Sequence, residues 1–128
     1  MAAVLTPDPA LTRGAMVLVT FVGEYGKTRP AVIVQADGFN TTSQESFVVV
    51  PFTSEILTAP IFRLTVDPTS DNGLQKVSQL MIDKLTVTPR SRIKAMLGRL
   101  EDDHMLRVTR AMALWLGIGP ADQPGETT

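Results

Sequence analysis

Between residues 16 and 88 the chain is a succession of short apolar, β-branched runs, each soon interrupted by Gly, Pro, Asn or Asp. The runs are "MVLVTFV" (16–22), "AVIVQ" (31–35), "SFVVVPFT" (46–53), "IFRLTV" (61–66) and "VSQLMID" (77–83). "LTVT" (85–88) extends or follows the fifth. Clusters of turn residues, "ADGFNTTSQ" (36–44) and "DPTSDNG" (67–73), separate them. Helical character begins only at 91. "RIKAMLGRL" suggests a short helix, and "DDHMLRVTRAMALWLG" a longer one with Asp102 as N-cap and Gly117 as its stop. Short strands first and helices last predict a mainly β fold, a strongly bent sheet or small open barrel closed by a C-terminal helix.

Finer features refine that expectation. Pro51 lacks an N–H and predicts a bulge or an edge within the third strand. "IFRLTV" alternates and should be half exposed. On the last helix Met105, Val108, Met112, Trp115 and Leu116 share one face at 100° per residue. Leu106 and Leu114 fall outside that stripe and suggest a second packing partner.

A length of 128 residues fits one domain, expected at 13–118. Residues 1–12, with two prolines and no periodicity, read as a flexible lead, and "GPADQPGETT" (119–128) as a disordered tail. The start has no basic region, and no stretch approaches the ~18 apolar residues of a membrane helix, so a cytoplasmic protein without membrane contact is expected. There are no cysteines and one histidine, His104. Disulfides, thiolate catalysis and sulfur-ligated metals are therefore excluded, a histidine acid/base pair is impossible within one chain, and no metal or cofactor is expected. A net charge of −1 gives no overall attraction to nucleic acid, so nucleic-acid binding would rest on local clusters of Arg and Lys.

Three stretches in order, "KTRPAVIVQADGFN" (27–40), "FVVVPFTS" (47–54) and "GLQKVSQLMIDKLTVTPRSRI" (73–93), resemble the MazF/PemK family of toxins from bacterial toxin–antitoxin pairs. The ending "IKAMLGRLEDDHMLRVTRAMALWLGI" also fits the family's closing segment. The resemblance covers about residues 13–118. It implies an SH3-like small β-barrel of the MazF/PemK/CcdB kind, a homodimer, a peptide-like cognate antitoxin as partner, and metal-independent cleavage of single-stranded RNA. The chain departs from the pattern at Ala15, where members usually have Asp after Gly. Its loop 23–28 is also shorter, and Met81 stands where some members carry an Arg.

Cleaving RNA without metal requires a base for the 2′-hydroxyl proton, a cation for the phosphorane and a donor for the leaving 5′-oxygen. Arg29 suits the cation role. Pro30 disfavours the α region for it and holds it extended, and its planar fork matches phosphate oxygens. At the end of the third strand, Thr53 is the expected hydroxyl donor, with Ser54 as a further phosphate contact; local turn capping is the alternative for both. Glu24 and Asp83 compete as the base, Asp83 having a salt bridge to Lys84 or an Arg as its alternative role. Lys27, Lys76, Arg90 and Arg92 could track the RNA backbone, and Tyr25 could stack on a base.

Two other readings share this fold. One is a non-enzymatic poison of a DNA topoisomerase such as gyrase, of the CcdB group, whose members end near a Trp-Gly-Ile sequence similar to "WLGI" (115–118). The other is a binding module that kept the fold and lost the chemistry.

Overall fold

Neighbouring residues in the central strands are buried in alternation against two different clusters, and this explains why those strands read as unbroken apolar runs. Met16, Val32 and Val50 face one cluster, with Phe52, Leu80, Leu100, Val108 and Ala111. Val17, Ile33 and Val49 face the other, with Val19, Phe47 and Leu11. With one α-helix among the described residues to cover one face, the other face is buried by curling the sheet on itself.

The computed structural model describes residues 6–23, 27–58 and 61–119. Among these lie seven strands: β1 (Ala15–Thr20), β2 (Thr28–Ile33), β3 (Ser46–Thr53), β4 (Arg63–Val66), β5 (Ser78–Met81), β6 (Thr86–Pro89) and β7 (Ile93–Arg99). One α-helix, α1 (Asp102–Leu116), follows. The antiparallel order is β4-β5-β3-β2-β1-β7, with β6 also on β3. β6 borders β3 and β7 borders β1, yet only a 3₁₀ turn, Arg90–Arg92, joins them. That short link bends the sheet into an open barrel, and α1 packs over β4 and the 3₁₀ turn at Ile82–Lys84.

β3 is the hub. Residues Ser46 to Val49 pair with β6, and Phe52 and Thr53 pair with β5 along the same edge. Pro51 sits where β3 passes from one partner to the other, so its missing N–H interrupts no ladder on that edge.

Several expectations are corrected. Residues 92–100, expected as a short helix, form the last residue of the 3₁₀ turn, then strand β7 and its exit at Leu100. Lys94, Ala95, Met96 and Leu97 are good helix formers, but the open edge of buried β1 recruits them into a ladder with two register shifts. The fifth strand ends at Met81, so Asp83 lies in a 3₁₀ turn. The N-cap is Glu101 rather than Asp102; its carboxylate accepts from Thr69 Oγ1 (2.6 Å) and Asn72 Nδ2 (3.2 Å). Gly117 stops the helix in the left-handed region (φ 69°), and Ile118 N donates back to Ala113 O. Leu106 and Leu114 are exposed, as their place on the helix suggested. Trp115 was expected on the core face but is 49% exposed, tilted on Phe62 with ring centroids 5.3 Å apart.

Residues 6–12 are docked rather than flexible. Thr6 O accepts from Thr42 N, Pro7 bridges Thr41, and Leu11 is buried. Asp8 is the anchor. Burial alone would raise its pKa, but the N–H groups of Leu11 and Ala10 and the Arg90 guanidinium together lower it. A carboxylate depressed in the fold contributes stability above its unfolded pKa of about 4, lost as pH falls through the folded value. The melting temperature should therefore fall on acidification below about pH 4. Asp8→Asn should melt lower than wild type near neutrality and approach it at low pH.

Candidate active site

Arg29 is the second residue of β2, extended beside Val19 of β1. On its other edge β2 pairs Ala31 with Pro51, and continuing that antiparallel register brings Arg29 level with Thr53. Arg29 Nη1 approaches Phe52 O at 3.5 Å. A guanidinium and a hydroxyl far apart in sequence thus stand side by side on adjacent strands.

They form a ridge between two clefts. The first, about 450 Å³, adds Lys27, Ser54, Gln75 and Lys76 above an apolar floor including Leu18, Leu74 and Leu97. The second, about 590 Å³, adds Glu55, Arg63 and Lys84 above Phe21, Pro51 and Met81. Arg29 and Thr53 line both. Cations flank the ridge on each side, and apolar surface lies beneath. Such a track suits a polyanionic strand whose bases need somewhere to rest.

Thr53 is 8% exposed, and its Oγ1 accepts the N–H of Glu55 at 3.1 Å. Because that bond uses a lone pair, the hydroxyl proton remains able to donate into the clefts.

Asp83 is not poised as a base. Arg63 Nε meets its Oδ1 at 2.8 Å and Arg63 Nη2 meets its Oδ2 at 3.0 Å. The Arg63 guanidinium lowers the Asp83 pKa against the opposing effect of burial, the reverse of what proton removal near neutrality requires. Its role is to orient Arg63 on the wall of the second cleft. The salt bridge to an Arg expected as Asp83's alternative role is thus present, with Arg63 as the partner, whereas neither Arg63 nor Lys84 is legible in the sequence as a cleft residue. The available signal was the alternation of "IFRLTV", which puts Arg63 on the face opposite Phe62 and Leu64; the fold then pairs it with Met81.

Arg90 is likewise corrected from RNA contact to structural clamp. It donates to Gln44 O, Thr41 O and Asp8 Oδ2, each at 2.9 Å, and lies over the Phe47 ring at 5.1 Å. Arg92, half-buried beside it in the same turn, lines neither cleft. Lys27, Ser54 and Lys76 do line the first cleft. Glu24 and Tyr25 lie outside the described residues. Among the described residues no group of three His, Asp or Glu side chains could hold a metal ion.

A sequence model of the PemK-like, MazF-like toxins of type II toxin–antitoxin systems matches residues 12–116. A probable endoribonuclease MazF of Mycolicibacterium smegmatis is 43% identical over 109 residues, covering 84% of this chain and 98% of the relative. Among solved structures, a mycobacterial endoribonuclease in complex with its cognate antitoxin superposes with a TM-score of 0.69 at 21% identity, covering 88% of this chain and 99% of the other. A MazE–MazF structure from Deinococcus radiodurans gives 0.70 at 23% identity, covering 88% and 100%. At these identities the superpositions speak to the fold.

Proposed function

The chain belongs to the PemK-like, MazF-like toxins of type II toxin–antitoxin systems, and on that premise we propose that it is a metal-independent endoribonuclease acting on single-stranded RNA at the Arg29–Thr53 ridge. The observation that carries this reading is the shared position of that guanidinium and hydroxyl on the walls of both clefts.

The chemistry follows from the groups present. The ribose 2′-oxygen attacks the adjacent phosphorus and displaces the 5′-oxygen, leaving a 2′,3′-cyclic phosphate and a 5′-hydroxyl. Arg29 neutralises the charge gathering on the non-bridging oxygens, and Thr53 donates to one of them or to the departing oxygen. Of the two carboxylates proposed from the sequence, Asp83 is engaged by Arg63, which leaves Glu24 to take the 2′-hydroxyl proton. The strand runs across the ridge, with Lys27, Ser54 and Lys76 contacting phosphates in the first cleft and Arg63 and Lys84 in the second. Tyr25 supplies a stacking surface.

By the same reading the toxin domain spans 13–118, with residues 6–12 docked against it, and acts in the cytoplasm, where its substrate is found; among the described residues no helix is long and apolar enough to cross a membrane. It pairs with a second copy through apolar surface such as Leu106, Leu114 and Trp115, all exposed on α1. A cognate antitoxin silences it by covering the clefts.

Incubation of purified protein with a long unstructured RNA in excess EDTA tests the assignment. Discrete cuts with 5′-hydroxyl ends are expected, and Glu24→Gln should lower kcat more than KM. Intact RNA together with trapped topoisomerase–DNA breaks would instead support a gyrase poison, a reading that the family match does not favour. Neither result would leave a binding module. Lys76→Ala should weaken RNA binding and flatten its salt dependence, with the cleavage sites unchanged.

A further inference from the structure

The geometry points to Gln79 as a positioning residue that sets the Thr53 hydroxyl through the turn at 54–57. This rests on the proposed nuclease role of Thr53. Gln79 lies on β5 directly opposite Thr53 of β3 on one edge and Thr65 of β4 on the other. Cross-strand partners share a face, so its side chain lies beside both of theirs.

Gln79 is 3% exposed, and both polar atoms of its side chain are used. Oε1 accepts the N–H of Leu57 at 2.9 Å, and Nε2 donates to Leu57 O at 2.9 Å and to Thr65 Oγ1 at 3.2 Å. One buried side chain thus satisfies both backbone groups of an exposed residue, as a neighbouring strand would. Among the described residues, the hydrogen bonds to the backbone of 54–58 come from only two side chains, Gln79 and Thr53. The Thr53 bond is the one to Glu55 N.

The consequence is a short mechanical chain. Gln79 holds Leu57, and with Thr53 anchored in β3 the intervening turn has both ends tied. That turn presents the Glu55 N–H to Thr53 Oγ1, which selects the hydroxyl rotamer whose proton points toward the clefts. It also carries Ser54 on the wall of the first cleft and Glu55 and Leu57 on the wall of the second. Without the clamp the hydroxyl can rotate, and displacements of about 1 Å in a catalytic group can lower rates by up to ~10²-fold.

Gln79→Met keeps the shape and removes every hydrogen bond. Its kcat on RNA should fall about tenfold to ~10²-fold with KM little changed. Amide exchange at Glu55 and Leu57 should accelerate while the rest of the sheet stays protected. In a Thr53→Val background the same substitution should cause no further loss, because its effect passes through that hydroxyl. Leu57→Pro, which deletes the N–H that Gln79 accepts, should reproduce the loss and serves if Gln79→Met does not fold. Multiplying losses in the double variant, or wild-type cleavage with unchanged protection at Glu55, would overturn the role. Failure of the wild type to cut RNA would instead overturn the nuclease reading, while the exchange data would still report whether Gln79 holds the turn.

Discussion

Arg29→Ala is expected to lower RNA cleavage by about 10²- to 10³-fold, equivalent to about 3–4 kcal/mol of barrier, with little change in thermal stability. The guanidinium stands on a strand whose path is set by Pro30 and by pairing on both edges, so it needs no reorganisation when charge develops on the phosphate. Arg29 is half-buried at the cleft rim and contributes little to either apolar cluster. Folding should therefore survive its loss. Arg29→Lys keeps the charge and loses the fork, so it should recover only part of the rate. Single-turnover cleavage in EDTA, alongside a melting curve for each variant, checks both halves. Wild-type rates in Arg29→Ala would end the nuclease assignment.

The second large effect concerns stability. Gly98→Ala is expected to destabilise the fold by about 3 kcal/mol or more, combining overpacking with backbone strain. For a domain of this size that lowers the melting temperature by roughly 12–20 °C. A Cβ at Gly98 would stand 2.1 Å from Asp71 O, and the residue's φ is 155°. Asp71 O already accepts the N–H of Arg99 at 2.7 Å, so it cannot easily withdraw. The contact is reciprocal: a Cβ at Gly73 would stand 2.3 Å from Leu97 O. Two glycines thus let the segment 67–74 press against β7, and Gly73, Leu74 and Leu97 line the first cleft. Thermal unfolding measures the loss. A variant with wild-type stability would mean that the segment does not pack this closely.

These predictions differ in how far the sequence could have led to them. Arg29 and Thr53 were legible because "KTRP" and "VPFTS" carry the family resemblance and because Pro30 constrains its neighbour. The clamp around Gln79 was not legible: its partners Leu57 and Thr65 lie 22 and 14 residues away. Arg90 and Arg63 show the same limit from opposite sides. Both are arginines near turns or strand starts, yet Arg90 is engaged by Asp8, 82 residues distant, while Arg63 is aimed at a cleft by Asp83. Residue type told that a charge was present; only the fold told which carboxylate stood next to it.

β7 marks the corresponding limit for secondary structure. The residues of its middle, Lys94 to Leu97, favour a helix, and within the segment chiefly Gly98 weighs against that preference. The ladder partner that overrides it, β1, lies some eighty residues earlier in the chain.

By itself the sequence determined the buried strands, the closing helix with its glycine stop, and the two residues on which the chemistry is proposed to turn. These are local properties of periodicity, backbone restriction and side-chain type. The tertiary structure alone decided that residues 93–99 form a strand, that residues 6–12 are docked, and which charges face the clefts. Each of those outcomes depends on a partner distant in sequence, whose proximity exists only after the sheet has curled.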